Sequence, residues 1–273
     1  MMNPAEFANI AESEDQFWWY QGMRKIMFRI LDPLARARKM DRVLEAGCGT
    51  GHFALSIQKR YGWPVYPIDL GWEGIEYGRS LGVERLAQAD IQAIPFADSS
   101  FDAVLSMDVI VHLPRGGEAK PMREFARVLK PGGLAAIRVS ALDALRSRHT
   151  EFAMERQRFT KPRLVQLAAE CGFRVLRITY ANSLLSPLAF AKFRIWEPLS
   201  NAPPASGVQP VAPWINKLFL GPLTLESLWI GAGGSFPVGQ SLILIAERIG
   251  PFAPSSQQRK IKTEPHRPLI DCA

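Results

Sequence analysis

Short apolar runs alternate with amphipathic stretches from Val43 onward. Runs at 42–47, 64–69, 84–88, 101–107, 133–140, 173–180 and 240–248 read as strands; stretches near 50–61, 72–81, 118–130 and 161–172 read as helices. Alternation at this spacing predicts a parallel sheet with helices on both faces. Lys130-Pro131-Gly132-Gly133 reads as a helix stop and a turn into the fifth strand, and Cys171-Gly172-Phe173 plays the same part before the sixth. The last strand, from Ser241 to Glu247, is continuously apolar and is expected to be buried. Ahead of the sheet, Met23, Ile26, Met27, Ile30, Leu31 and Leu34 recur with the period of one buried helix face. Between the sixth and seventh strands lie amphipathic stretches at 184–199, 214–220 and 223–230 and a proline-rich spacer at 201–213. They predict a helical insertion.

Composition narrows this picture a little. With 273 residues, 47% of them hydrophobic, the chain can build one large α/β domain with a cap. The net charge of +7 and a pI near 9.5 favour anionic partners, although basic residues at 24–42 and after Gln258 also suit plain solvated surface. Cys48, Cys171 and Cys272 are too few and too far apart for a disulfide framework or a zinc site, and a reduced, cytoplasmic setting fits them. The first residues lack a signal-peptide pattern, and no run is long and apolar enough for a transmembrane helix.

The chemistry is concentrated in Asp41-Arg-Val-Leu-Glu-Ala-Gly-Cys-Gly-Thr-Gly-His-Phe53. A strand runs into an acid, Glu45, then into a turn with Gly47, Gly49 and Gly51, then into a helix. Glycines at alternate positions let the main chain turn sharply and lie close to a ligand. A dinucleotide fold places its third glycine at position 52, where this chain has His52, and no Lys-Ser/Thr pair follows, which excludes a P-loop. Asp69 ends the second strand, where a carboxylate can accept both hydroxyls of a ribose or cap the next helix. The pattern acid-x-G-x-G-x-G resembles motif I of the class I S-adenosylmethionine (SAM)-dependent methyltransferases, and the passage Asp90-Ile-Gln-Ala-Ile-Pro-Phe-Ala-Asp-Ser-Ser-Phe-Asp-Ala-Val104 resembles a later motif of that family.

The resemblance covers residues 40–180 and 240–249 and implies a fold. This is an α/β, Rossmann-like, seven-stranded methyltransferase sheet whose antiparallel last strand slots between strands five and six, with N-terminal helices and a helical insertion before that strand. It divides the chain into an N-terminal helical cap (1–40), a SAM-binding core (41–182 and 240–250), an insertion or substrate lid (183–239) and a tail of disordered composition (251–273).

It also implies roles. Glu45, Ala46, Gly47 and Gly49 would border the cofactor; Asp69 would take the ribose, and Leu70 would pack on the adenine. Asp90 and the Ile91 backbone would meet the adenine edge, with a simple turn role for Asp90 left open. The Met107 carbonyl would take the cofactor's ammonium. The segment Glu12–Lys25 resembles an aromatic N-terminal element of a subset linked to small-molecule, glycan or lipid modification. There, Trp19 or Tyr20 would cover the sulfonium, since aromatic faces attract cations, and Arg24 would grip the carboxylate. His112 is the candidate base, with a loop-ordering role equally open; Asp108 is a weaker one. His52 reads as a packing or surface residue.

The expected activity is methyl transfer from SAM, leaving S-adenosylhomocysteine, to an O, N or C nucleophile of a small organic, lipid-linked or glycan-type acceptor, with no metal. The motif after the fourth strand lacks Asn/Asp-Pro-Pro-aromatic, which weighs against N-methylation of adenine or cytosine and leaves nucleic acid a minority partner, kept open by the basic charge. A nicotinamide-dependent oxidoreductase and a catalytically silent SAM-binding scaffold are the competing readings. The aromatic residues of the insertion leave open a lid, a homodimer interface or contact with a membrane surface.

Overall fold

The computed structural model describes residues 2–200 and 203–249. The expected tail and Cys272 lie outside them. Two helices come first, α1 (Pro4–Ser13) and α2 (Trp18–Ala37), followed by β1 (Val43–Ala46), α3 (His52–Tyr61), β2 (Val65–Asp69), α4 (Trp72–Ser80), β3 (Ala87–Gln88) and β4 (Phe101–Met107). Then come α5 (Ala119–Val128), β5 (Leu129–Ser140), α6 (Arg148–Phe152), α7 (Lys161–Glu170), β6 (Phe173–Ala181), α8 (Ser186–Ala191), α9 (Glu197–Leu199), α10 (Pro213–Gly231) and β7 (Ser241–Arg248).

The sheet order is β3-β2-β1-β4-β5-β7-β6. β7 runs antiparallel to both β5 and β6, between which it lies; the other pairings are parallel. This is the methyltransferase sheet that the motifs imply. β7 is buried from Ser241 to Ala246, as its unbroken apolar run requires.

Each face of the sheet carries its own core. On one, Leu44, Ile68, Val104 and Ile137 meet Phe125, Leu164 and Phe159 of the later helices and loops. On the other, Val43, Val65, Leu105 and Ile245 meet Met23, Ile26, Met27 and Ile30 of α2 and Leu223 and Ile230 of α10. The helix period of residues 23–34 thus lies against the sheet. Gly22 lets α10 approach closely: a Cβ there would stand 2.2 Å from the Leu223 side chain.

Three expectations change. The third strand shrinks to Ala87–Gln88, both exposed, because it has a neighbour on one side alone. The turn at Lys130–Gly133 lies inside β5 rather than before it. Phe101 pairs with Leu129 and Ala103 with Leu134, so the extra residues bulge out of the ladder, with Gly132 at φ +77°. The stretches 214–220 and 223–230 are one helix running through Pro222. Pro222 removes one helical hydrogen bond, yet burial of Leu223 and Ile230 against α2 keeps α10 continuous.

Candidate active site

The turn after β1 is held by the neighbouring strand. The Gly47 and Cys48 N–H groups donate to the Ile68 carbonyl at 2.8 and 2.9 Å. Gly47 has φ +83°, and a Cβ there would lie 2.3 Å from Val109 Cγ2, so the loop after β4 presses directly on the turn. Asp69 closes the arrangement: its two oxygens accept the N–H groups of Gly49 and Gly71, each at 2.8 Å. It therefore bridges the first β-to-α turn and the start of α4, and burial raises its pKa above the usual carboxylate value.

Above this turn lies a cavity of about 730 Å³, within the range of small-molecule sites. Glu45, Gly47, Gly49, Asp69, Leu70, Asp90, Ile91, Met107, Asp108, His112, Tyr20 and Arg24 all border it. Ala46 does not; it is fully buried under the turn, and its carbonyl accepts the Ser106 hydroxyl at 3.0 Å.

The side chains reveal unequal freedom. Glu45 accepts the Ala54 N–H at the start of α3, while its buried Oε2 has no partner. Burial, with Glu14 and Asp69 nearby, holds its pKa well above the ordinary value. Asp90 is engaged in its own turn, accepting the Gln92 N–H at 2.8 Å. Asp108 has φ +58° and is clamped by Arg138 at 2.7 Å, and its buried Oδ1 is unpartnered. Arg138 in turn lies 4.9 Å above the Trp19 ring, which packs edge-on against Tyr20 at 5.0 Å. As a base Asp108 is held back, because its charge already belongs to Arg138.

His112 is better placed. Its Nδ1 lies 3.3 Å from the Met154 carbonyl, so the neutral ring carries its proton there and leaves the Nε2 lone pair free. Burial lowers its pKa, which keeps it neutral near pH 7.

Among the cavity residues that the sequence did not mark as site residues, three carry titratable groups of note. His52, expected as a packing or surface residue, borders the cavity with Nδ1 2.9 Å from Arg24 Nη1. Glu14 is buried and accepts the Thr50 hydroxyl at 2.6 Å; burial pushes its pKa up to about 7, against the pull of Thr50 and Arg24. His149 lies on α6, where its Nδ1 accepts the Gly207 N–H at 3.0 Å and burial lowers its pKa to about 4. Glu14 stands within the aromatic segment Glu12–Lys25, a usable signal; α6 carries no motif that would have exposed His149.

A methyltransferase-domain profile matches residues 44–137. Over those residues the chain is similar to methyltransferase domains, in keeping with the order of its sheet. Among curated relatives, the domain is similar to O-methyltransferase resE of Aspergillus sclerotiorum, 31% identical over 54% of this chain and 60% of that protein. It is also similar to a malonyl-[acyl-carrier protein] O-methyltransferase of Enterobacter lignolyticus, 35% identical over 46% and 51% of the respective lengths. The chain thus spans about half the length of the curated relatives it matches. Among solved structures, a Haloferax volcanii protein in complex with the Trm112 methyltransferase activator superposes with a TM-score of 0.55 at 19% identity, covering 89% of this chain and 97% of that one. A Thermotoga maritima SAM-dependent methyltransferase gives 0.53 at 16%, covering 89% and 95%. At such identities these two likenesses establish the fold. Among the described residues, no helix is long and apolar enough to cross a membrane.

Proposed function

We propose that the chain binds SAM in this cavity and methylates an oxygen nucleophile on a small organic, lipid-linked or glycan-type acceptor. The observation that carries the reading is the wall at the glycine turn, where Glu45 and Asp69 border the cavity and Glu45 keeps a buried oxygen without a partner; the basic side chains of the cavity, Arg24, Arg138, Arg148, Arg158 and Lys192, come from other elements. Such a wall suits a ligand carrying ammonium, sulfonium and ribose donors. It disfavours the pyrophosphate of a nicotinamide dinucleotide, which would meet carboxylates beside the glycine turn. In this reading Asp69 holds the ribose, Leu70, Asp90 and Ile91 border the adenine, and Glu45, with the Met107 carbonyl, faces the ammonium. Arg24 takes the carboxylate, and Trp19 and Tyr20 lie over the sulfonium.

Bound SAM would supply a methyl group already activated by its sulfonium. The protein's part is alignment and water exclusion. The His112 Nε2 lone pair accepts the proton that an acceptor hydroxyl sheds as it attacks. The names of the relatives, O-methyltransferases in several cases, support oxygen over nitrogen or carbon. Isothermal titration with SAM tests the cofactor reading, and a lack of binding at millimolar SAM sinks it. A single-turnover assay with labelled SAM separates an enzyme from a silent binder.

Two outcomes are expected. His112→Gln slows transfer to a hydroxyl acceptor by about a hundredfold or more, the scale of a general base, while SAM affinity is unchanged. An equal loss of SAM affinity would instead make His112 a loop-ordering residue. The second concerns pH. Glu14 has a folded pKa of about 7 against 4.5 unperturbed, so it is protonated at pH 6 and ionised at pH 8. Its ionised form attracts a cation, so SAM affinity rises with pH through 7, by at most about tenfold per pH unit for one proton. Because the shift is upward, the same ionisation costs the ligand-free fold stability as pH rises from 4.5 through 7. Glu14→Gln flattens the part of the titration near pH 7, and calorimetry at pH 6 and 8 reads the difference.

A further inference from the structure

The insertion between β6 and β7 exposes an apolar face whose geometry is specific. On α10, Trp214, Leu218, Leu225, Leu228 and Trp229 are each about half or more exposed. At 100° per residue these five share one side of the helix. The opposite side carries Leu223, Glu226, Ser227 and Ile230, all buried, and packs on α2. Single exposed leucines are ordinary; a stripe of five on one helix marks a contact surface. The stretch α8–α9 adds Leu188, Ile195, Trp196 and Leu199, with Trp196 70% exposed. Trp196 and its neighbour Phe193 also line the cavity wall, so the α8–α9 stretch borders the cavity.

The exposed charges of the insertion are mostly basic. Residues 184–239 contain Lys192, Arg194 and Lys217 against Glu197 and Glu226. Glu226 is buried and accepts the Leu184 N–H, and Glu197 accepts the Arg148 N–H at 2.9 Å. From α2, Lys25 reaches the Thr224 hydroxyl at 3.3 Å, and the Arg29 stem packs beside Gly231. Three exposed tryptophans, an aliphatic stripe and a cationic rim match the interfacial zone of a bilayer, where indole rings sit at headgroup depth and lysines meet anionic lipid. A second copy of the same face would bring like-charged rims together, which counts against it.

We propose that α8, α9 and α10 dock this protein on the surface of an anionic lipid bilayer, with the α8–α9 border of the cavity at headgroup level. The docking itself does not depend on methyl transfer; any delivery of an apolar acceptor from the membrane into the cavity rests on the function proposed above.

Vesicle co-sedimentation of the full chain tests it. Binding is expected to vesicles of phosphatidylcholine mixed with phosphatidylglycerol, weaker binding to phosphatidylcholine alone, and release as salt is raised. Tryptophan emission shifts to the blue on binding. Lys192→Glu and Lys217→Glu each weaken partitioning by about fivefold or more, the scale for one basic residue near a charged membrane. Trp214→Ser with Trp229→Ser weakens it further and abolishes the emission shift, while SAM affinity and the melting temperature of the variant show that the fold is intact. If the anionic vesicles fail to retain the wild-type chain, or retain all these variants equally, the proposal falls. It also falls if light scattering finds a stable dimer that Trp214→Ser dissociates, since a second copy would then own the face.

Discussion

Replacing Asp69 by alanine weakens SAM binding by about a hundredfold or more in isothermal titration. The carboxylate accepts the Gly49 and Gly71 N–H groups at 2.8 Å each. Hydrogen bonds to a charged group contribute about 1.5–3 kcal/mol apiece, and about 1.4 kcal/mol is tenfold in affinity. Those two bonds hold the glycine turn to α4 with or without ligand; the expected loss of affinity is that of the two ribose hydroxyl bonds the carboxylate would accept in the proposed reading, at the same energy apiece. Asp69→Asn keeps one carbonyl acceptor and should fall between wild type and Asp69→Ala. The melting temperature separates the local effect from unfolding: affinity collapses in Asp69→Ala while a cooperative transition persists. Unchanged affinity in that variant would remove Asp69 from the site and, with it, the argument for SAM in this cavity.

Gly47→Ala destabilises the fold by about 2–5 kcal/mol in urea unfolding. Two causes add. A non-glycine residue at φ +83° carries left-handed strain of about 1–2 kcal/mol. The added Cβ would also stand 2.3 and 2.5 Å from the two γ carbons of Val109, and overpacking of this kind costs about 1–3 kcal/mol. Against a total stability of about 5–15 kcal/mol this is a large share. The causes separate in a double variant. Val109→Ala removes the overlap but not the backbone strain, so Gly47→Ala in that background costs measurably less, with a coupling of about 0.5–3 kcal/mol. Strict additivity would show that the two side chains do not meet and that the loop after β4 is not braced on the glycine turn.

The sheet was legible because its signals are local. β1, β2 and β4 are short apolar runs ended by Gly47, Asp69 and Asp108, and the alternation with helices dictates the crossovers. The place of β7 between β5 and β6 came from the family resemblance; its apolar run told of burial and nothing of direction. Where the reading slipped, long-range packing overrode a local cue. Gly221-Pro222 looks like a helix break, yet Leu223 and Ile230 hold α10 together against α2. The bulge at Lys130–Gly133 looks like a turn, yet Leu129 already pairs with Phe101.

The site divides in the same way. The residues drawn from the motifs line one cavity, apart from Ala46, which is sealed beneath the turn. His149 was hidden because the folding of α6 over the sheet brings it to the cavity, and no short pattern encodes that; Glu14 and His52 lay within or beside motifs, but the cavity that α1 and α2 close over the glycine turn shows only in the fold. Asp108 shows the opposite failure. Its position is plain in the sequence, but the clamp by Arg138, thirty residues on in the neighbouring strand, appears only when β4 and β5 pair.

The reversed direction of β7 has a consequence for how such a chain can diversify. Because β6 and β7 are adjacent and antiparallel, everything from Asn182 to Gln240 hangs as a single excursion from one corner of the sheet. Lengthening an excursion of that size adds little entropy cost, about 0.6 kcal/mol per doubling. Grafting a foreign segment ahead of α10, which Leu223 and Ile230 tie into the core, could therefore exchange what the molecule touches and admits, while the first β-to-α turn and its acid stay as they are.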